Sequence, residues 1–301
     1  MAGMHVLVTG SHGLIGSALV ASLQRDGHQV RRLARGTTWA PEAGTIDDAV
    51  LDGVDAVVHL AGEGIGEHRW SDQHKRRVLD SRVNGTTALA TAIARRGPGP
   101  GGIQAFISGS AVGYYGDRGD DTLTESSAPG TGFLADVCWQ WEVAAQPAED
   151  AGVRTVKMRT GIVLSSKGGA LAKQLTPFRL GAGGKLGSGK QWQSWISIDD
   201  DVAAIRHALG DPNLHGPVNF TAPNPVTNAD FTKALGRALK RPAVLTVPGL
   251  ALRALFGTQM AEEMLLAGQR VLPAKLEEAG FTFRHPTLAE ALPAVLRKGS
   301  S

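Results

Sequence analysis

The first apolar run of the chain, His5-Val6-Leu7-Val8-Thr9, is short and stops at Gly10, as a strand buried on both faces does. Ile15, Ala18, Leu19 and Leu23 then recur at helical spacing, and Gly27 follows as a C-terminal stop. Gln29 to Ala34, Asp55 to Leu60, Ile103 to Ser108 and Thr155 to Met158 read as further strands. Helical periodicity runs from about Ser71 to Arg96, closed by Gly97-Pro98-Gly99-Pro100, and again from about Leu134 to Ala151, stopped by Gly152. Strands alternating with helices of this length predict a parallel sheet covered on both faces.

The pattern changes after about Gly161. Residues 181–189 hold five glycines in nine, which suits a loop passing close to a ligand or another backbone. The last eighty or so residues read as mostly helical, with Thr227 or Asn228 as the N-cap of a helix over Asp230 to Lys240. This stretch predicts a smaller lobe packed on the ligand-binding edge of the sheet.

The most informative turn joins the first strand to the first helix. Thr9-Gly10-Ser11-His12-Gly13-Leu14-Ile15-Gly16 places glycines at relative positions one, four and seven. In a strand–turn–helix setting Gly10 permits the tight turn, Gly13 lets backbone approach a pyrophosphate, and Gly16 lets the helix pack closely on the sheet. The helix N-terminus offers free N–H groups and a positive dipole end to phosphate. Dinucleotide binding on an α/β fold of Rossmann type follows: a doubly wound parallel sheet with a smaller, mostly helical C-terminal substrate lobe. Residues 1–221 are assigned to the nucleotide-binding domain, with 162–194 contributing to the lobe, and 222–301 to the lobe itself.

The end of the second strand selects the cofactor. An NAD site places an acid there for the ribose 2′-OH, whereas Val30-Arg31-Arg32-Leu33-Ala34-Arg35 offers none. Arg35 can pair with a 2′-phosphate in a charge-assisted, bidentate way, so NADP is the expected cofactor.

Composition narrows the rest. A net charge of +3, with basic and acidic residues interspersed, does not favour nucleic acid as a partner. The densest basic cluster, Lys75-Arg76-Arg77 with Arg82, reads as a solvated helix face. Cys138 is the only cysteine, so no disulfide forms within the chain. Neither a signal-like start nor an apolar run of about 18 residues is present, so the expectation is a cytoplasmic protein, monomer or homodimer, with no membrane partner. Nine histidines include no ligand-spaced set, so no metal is expected.

Taken together, these residues resemble an extended short-chain dehydrogenase/reductase, the superfamily of sugar-nucleotide epimerases and dehydratases. The match includes TGSHGLIG at 9–16, DAVVHLAG at 55–62, Asn84 in RVNGTT, SGSAVGYYG at 108–116 and WISIDDDVAA at 195–204. Nearer still is an atypical branch, the epimerase-family proteins. It shares HLAGE at 59–63, FLADVCWQWE at 133–142, RTGIVLSSKGGAL at 159–171 and PFRLGAGGKLGSGKQWQSWI at 177–196. That branch also carries a C-terminal domain of unassigned function, matched by Gly268-Gln269-Arg270-Val271-Leu272-Pro273 and Gly280-Phe281.

The resemblance implies a cofactor site of Gly10, His12, Gly13, Leu14, Ile15 and Gly16 from the turn. It adds Ala34 and Arg35 by the adenosine ribose, then Leu60, Ala61, Gly62 and Glu63, with Asn84 and Ser108. It also implies chemistry through Tyr-x-x-x-Lys on a helix, where Lys⁺ favours tyrosinate and the Tyr exchanges a proton with the substrate oxygen. This chain departs from that pattern. Its two tyrosines, Tyr114 and Tyr115, are followed four residues on by Arg118 and Gly119. The matching helix positions hold Cys138 and Glu142, whose electrostatics are reversed, since a carboxylate disfavours thiolate. The two either stay in the active site or form a helix face contacting the cofactor or the small lobe.

Ser110 matches the superfamily's serine, expected near the nicotinamide. One of Tyr114 and Tyr115 either replaces the missing acid or packs a sugar or the cofactor. Ser110, Tyr114, Tyr115 and Cys138 are therefore the candidate catalytic residues. Lys185 and Lys190 flank the glycine-rich loop, where they either meet a substrate phosphate or keep the loop soluble. Two functions follow: an NADP(H)-dependent oxidoreductase or sugar-nucleotide epimerase-like enzyme acting on a small polar substrate, or an NADP-binding or sensing protein without catalysis.

Overall fold

The computed structural model describes residues 3–36 and 38–297. Six strands build its main sheet: β1 (His5–Thr9), β2 (Gln29–Leu33), β3 (Ala56–His59), β4 (Ala105–Ala111), β5 (Arg154–Thr160) and β6 (Gly216–Phe220). Their spatial order is β6-β5-β4-β3-β1-β2. β1 pairs in parallel with β2 and β3, and β3 with β4. The order reverses at β1, the switch point where open α/β sheets bind ligands beyond their strands' carboxyl ends. Thr9 pairs with Leu33 on one side and His59 on the other, and His59 pairs with Ser108. Gly10, Ala34, Leu60 and Gly109 are therefore the next residues along one edge.

Helix α1 (Leu14–Arg25) follows β1, and α2 (Asp72–Arg96) precedes β4. The Ser71 hydroxyl caps α2 by accepting the His74 N–H at 3.2 Å, as a serine before a helical run should. Two differences from the sequence pattern go beyond a residue or two at an element's end. The helix expected over Leu134 to Ala151 is two, α3 (Phe133–Ala144) and α4 (Gln146–Asp150). Pro147 in the first turn of α4 has no N–H to continue the ladder of α3. β4 also runs past Ser108 to Ala111, carrying Ser110 within the strand.

The chain divides into two compact units. The first holds the described residues up to Ala111, with Asp136–Arg159 and Val202–Val218. Its core joins Leu7, Val57 and Phe106 of the sheet to Leu89 and Ile93 of α2, with Trp39 and Leu51. Each such buried side chain contributes roughly 1.5–3 kcal/mol.

The second unit holds Val112–Ala135, Thr160–Asp201 and the described residues from Asn219 onward. It is built from α5 (Gly169–Arg179), the start of α6 (Ile198–Gly210), α7 (Asn228–Leu239), shorter helices, and the terminal helix Leu288–Arg297. Leu171, Leu175 and Phe178 pack with Trp195, Phe231, Leu235, Leu288 and Leu292. Thr227 caps α7, accepting the Asp230 N–H at 3.2 Å. The glycine-rich stretch serves another backbone: a Cβ on Gly184 would lie 2.5 Å from the Leu245 carbonyl oxygen. Lys190 is exposed, and Lys185 donates to the Ser188 carbonyl at 3.3 Å. Residues 298–301, assigned from sequence to the C-terminal lobe, lie outside the described residues. No helix among the described residues is long and apolar enough to cross a membrane.

Candidate functional site

The turn after β1 is shaped by the absence of side chains. Gly10 has φ +63°, and a Cβ there would lie 2.7–2.8 Å from the backbone of Leu60 and Ala61. A Cβ on Gly16 would collide with the Gly10 carbonyl. Gly13 caps α1 without a side-chain hydrogen bond, and the first turn carries no acid. The helix therefore presents unscreened N–H groups and a positive dipole end, and these backbone features fit a pyrophosphate. His12 and Gly13 are exposed, Leu14 and Ile15 half-buried, and Gly16 buried.

Thr9 latches this turn to the tip of β3. Its Oγ1 accepts N–H groups from Leu60 at 3.2 Å and Ala61 at 3.3 Å. With both lone pairs taken, its own proton goes to His59 Nδ1, 2.7 Å away. His59 is thus the Nε2–H tautomer. Burial, and then the Arg82 charge, push its pKa down to about 3, so it stays neutral. Ser108, the partner of His59 across the strands, is fully buried, and its hydroxyl has no partner among the described residues.

Ala34 and Arg35 lie exposed just beyond β2. The Arg35 guanidinium pairs with Glu42 at 2.8 Å, on side chains that are 50% and 63% exposed. Such a pair is worth little in water, so a 2′-phosphate can displace it.

Leu60, Ala61, Gly62 and Glu63 continue the edge beyond β3, and α2 grips them. Ser81 Oγ accepts the Glu63 N–H at 3.0 Å. Arg82 Nη1 donates to the carbonyls of Glu63 and Val78, both at 3.0 Å. A Cβ on Gly62 would lie 3.3–3.5 Å from the Arg82 guanidinium, so the glycine admits it. The Glu63 carboxylate is 3.7 Å from Arg77. Here the expected solvated face is corrected. Arg76 and Arg77 are exposed, but Arg82 turns inward, and burial lowers its pKa. Asn84, roughly 200° around the helix from Arg82, instead lines a groove of about 410 Å³ with Thr45, Ile46 and Thr91.

The position matching the superfamily's lysine holds a buried ion pair. Arg159 Nε donates to Glu142 Oε1 at 2.7 Å and Nη2 donates to Oε2 at 2.9 Å. The Ser110 hydroxyl donates to Glu142 Oε1 at 2.7 Å. Its single proton is committed, which leaves Ser110 an acceptor towards any ligand. Cys138, one turn before Glu142, is buried and its thiol is pushed up to about 12. Burial is the main cause; Glu142 adds to it, while Arg82, Arg159 and a backbone hydrogen bond from Ala111 oppose it. Such a thiol is not a nucleophile at neutral pH. On the same helix, Trp141 lies against Gly109, where a Cβ would come 2.6 Å from the ring.

The two tyrosines differ. Tyr115 is fully buried and its hydroxyl donates to Asn219 Oδ1 at 2.7 Å. The Glu125 carboxylate in turn accepts the Asn219 N–H at 3.0 Å. Tyr114 is half-buried and meets Tyr115 edge-on, ring centroids 5.4 Å apart. The structure therefore brings Ser110 and Cys138 around Glu142 and places both tyrosines in the second unit. Sequence reasoning missed Arg82, Trp141 and Arg159. The advance signals were positional: Arg82 opens RVNGTT, Trp141 lies within FLADVCWQWE and Arg159 opens RTGIVL. Among the described residues no cluster of three His, Cys, Asp or Glu could hold a metal.

Comparison with known proteins agrees with this geometry. A family model described as the NAD dependent epimerase/dehydratase family matches residues 6–219, and one described as a domain of unknown function (DUF1731) matches residues 247–295. The epimerase family protein MT2273 of Mycobacterium tuberculosis (strain CDC 1551 / Oshkosh) is 48% identical over 299 residues, covering 97% of each chain. The crystal structure of human epimerase family protein SDR39U1 (isoform2) with NADPH superposes with a TM-score of 0.88 at 36% identity. It covers 98% of this chain and 99% of that one. UDP-glucose 4-epimerase from Thermus thermophilus, solved with NAD, has a TM-score of 0.76 over 99% of each chain, and at 18% identity shares the fold.

Proposed function

The chain belongs to the NAD-dependent epimerase/dehydratase family, and from that membership we propose that it is an NADP(H)-dependent oxidoreductase or epimerase-like enzyme acting on a small polar substrate. One observation carries the cofactor assignment: the uncapped N-terminus of α1 and the Arg35 guanidinium follow adjacent, paired strands. That pairing supports one dinucleotide with its pyrophosphate on Gly10–Gly16 and its 2′-phosphate on Arg35. The NADPH bound to human SDR39U1, similar over nearly the whole chain, supports the same choice.

In this reading Leu60, Ala61, Gly62 and Glu63 line the cofactor along the β3 edge, held there by Thr9, Ser81 and Arg82. When bound, NADPH supplies the hydride. Ser110 contributes a lone pair rather than a proton, because its hydrogen is on Glu142. Tyr114 and Tyr115 are the acid candidates, and the Tyr115 hydroxyl donates to Asn219 Oδ1. The described residues from 222 onward are assigned as the substrate lobe.

A specific observation favours a second reading, an NADP-binding protein without turnover. The Ser110 proton and the Tyr115 hydroxyl are both held in buried hydrogen bonds, and the Cys138 thiol sits at about 12. A screen of small carbonyl and hydroxyl compounds, following NADPH absorbance, separates the two. Substrate-dependent oxidation of NADPH that falls in Tyr114→Phe supports the enzyme. Tight NADP(H) binding with no turnover across the screen supports the second reading. Failure of the folded protein to bind NADPH at all overturns both.

A further inference from the structure

Arg82 holds a charge that its surroundings cancel only in part. Its Nη1 is used by two backbone carbonyls, Glu63 and Val78. Its Nε and Nη2 have no acceptor among the described residues. Neither nitrogen is among the sealed, partnerless atoms, so this edge is not closed off from solvent.

The neighbouring charges leave a surplus. Arg159 and Glu142 neutralise one another, buried His59 and Cys138 are neutral at pH 7, and the remaining carboxylate, Glu63, lies 3.7 Å from Arg77 while its charge also acts on Arg82. Two guanidiniums, Arg77 and Arg82, thus share one carboxylate, which leaves this cluster one positive charge in surplus. Its guanidinium lies 5.0 Å from the Trp141 ring centroid and against the Gly62 backbone. Both contacts fix its plane without supplying an anion. Taking a guanidinium partly out of water is costly unless a ligand with negative charge repays it.

We propose that Arg82 is the substrate-anchoring residue of this site and that the substrate class is a small carboxylate. The Nε/Nη2 edge presents two parallel N–H groups, the geometry that takes a planar carboxylate bidentately. The inference rests on the reading that Gly62 and Glu63 line NADP(H), since it places the anchored group beside that cofactor. It also gives a physical reason for the absent lysine: the positive charge comes from α2 rather than α3.

The test uses the full-length chain with bound NADP⁺ and titrates oxalate, a planar dicarboxylate, in a calorimeter. Its neutral isostere oxamide is the control. Oxalate is expected to bind and oxamide not. Arg82→Gln should weaken oxalate by at least about tenfold, the loss of a charge-assisted pair. Arg82→Lys should restore part of it, and in both variants NADP⁺ affinity should fall far less than oxalate affinity, because Thr9 and Ser81 still hold the Leu60–Glu63 segment. Thermal melts establish that the variants are folded, and the oxalate–oxamide contrast in the unaltered protein tests the proposal even if they are not.

No oxalate binding, equal binding of oxamide, or full oxalate affinity in folded Arg82→Gln overturns the proposal. Parallel loss of NADP⁺ and oxalate also overturns it, because Arg82 would then serve the cofactor. If the unaltered protein binds no NADP⁺, the cofactor reading fails on its own, and oxalate titrated into the cofactor-free chain still decides the role of Arg82.

Discussion

The Ser110 hydroxyl donates to Glu142 Oε1 at 2.7 Å, and the same carboxylate takes two N–H groups from Arg159. The Glu142 and Arg159 side chains are only 9% and 3% exposed. A buried pair of this kind adds little net stability over a well-packed apolar pair, but removing one partner is severe. Glu142→Gln should destabilise the fold by about 3–5 kcal/mol, because the Arg159 charge loses its carboxylate. The double variant Glu142→Leu/Arg159→Met should recover most of that loss. Urea unfolding of the three proteins measures both. A single variant as stable as the parent would show that the pair does not hold the site together.

Much of this arrangement was legible in the sequence, and the failures have physical causes. The Gly10–Gly16 turn, the missing acid after β2 and the Thr227 cap were readable because each depends on residues close together in the chain. The break between α3 and α4 was also readable, at Pro147, but the continuous apolar periodicity obscured it. β4 was cut short because Ser108-Gly109-Ser110 resembles a turn. Gly109 is there instead to admit the Trp141 ring. The inward turn of Arg82 could not be read, because a charged residue in a basic run scores as solvent-facing. Only the fold brings Gly62 and Trp141 to it. The Ser110–Glu142–Arg159 cluster was hidden for the same reason, its members being 32 and 17 residues apart along the chain.

In the proposed site, cofactor choice rests on one exposed guanidinium. Arg35 would exchange its 2.8 Å surface contact with Glu42 for a 2′-phosphate, and NAD has no such group. Arg35→Ala should weaken NADP⁺ by about 10- to 100-fold, the worth of a charged hydrogen-bonded pair, and leave NAD⁺ affinity nearly unchanged. Calorimetric titration of both nucleotides provides the comparison. Equal losses for the two would remove the basis for preferring NADP.

The glycines of the turn make a sharper prediction because their roles differ from a nearby control. A Cβ on Gly16 would collide with the Gly10 carbonyl, while one on Gly36 meets nothing within 4 Å. Gly36 has no positive φ, so Gly36→Ala should be silent. Gly16→Ala must push α1 away from the turn, at a cost of roughly 1–3 kcal/mol for overpacking, and should abolish measurable NADP⁺ binding. Near-normal nucleotide affinity in folded Gly16→Ala would place the pyrophosphate elsewhere.

Asp201 carries the chain's clearest pH dependence. It is fully buried at the start of α6, and both carboxylate oxygens lack partners among the described residues. Burial, reinforced by the Asp200 charge, raises its pKa from 3.8 to about 7. Asp200 is better served: it accepts hydrogen bonds from Ser197 Oγ at 2.9 Å and from the Arg284 and His285 N–H groups at 2.8 and 3.0 Å. Between pH 3.8 and about 7 the folded chain keeps a proton on Asp201 that the unfolded chain releases. Stability from this group is therefore fullest below the lower value and drains away as pH rises to the upper one.

Asp201→Asn removes the titration while keeping the shape. From pH 5 to pH 8 its stability relative to the parent should rise by about 3 kcal/mol, two units of titration at roughly 1.4 kcal/mol each. His59 drifts the other way: its pKa is lowered from 6.5 to about 3, so it loses stability on acidification. That drift is common to both proteins and cancels in the difference. Urea midpoints at the two pH values decide the matter. Parallel profiles for parent and variant would mean that Asp201 reaches water or a proton donor when folded.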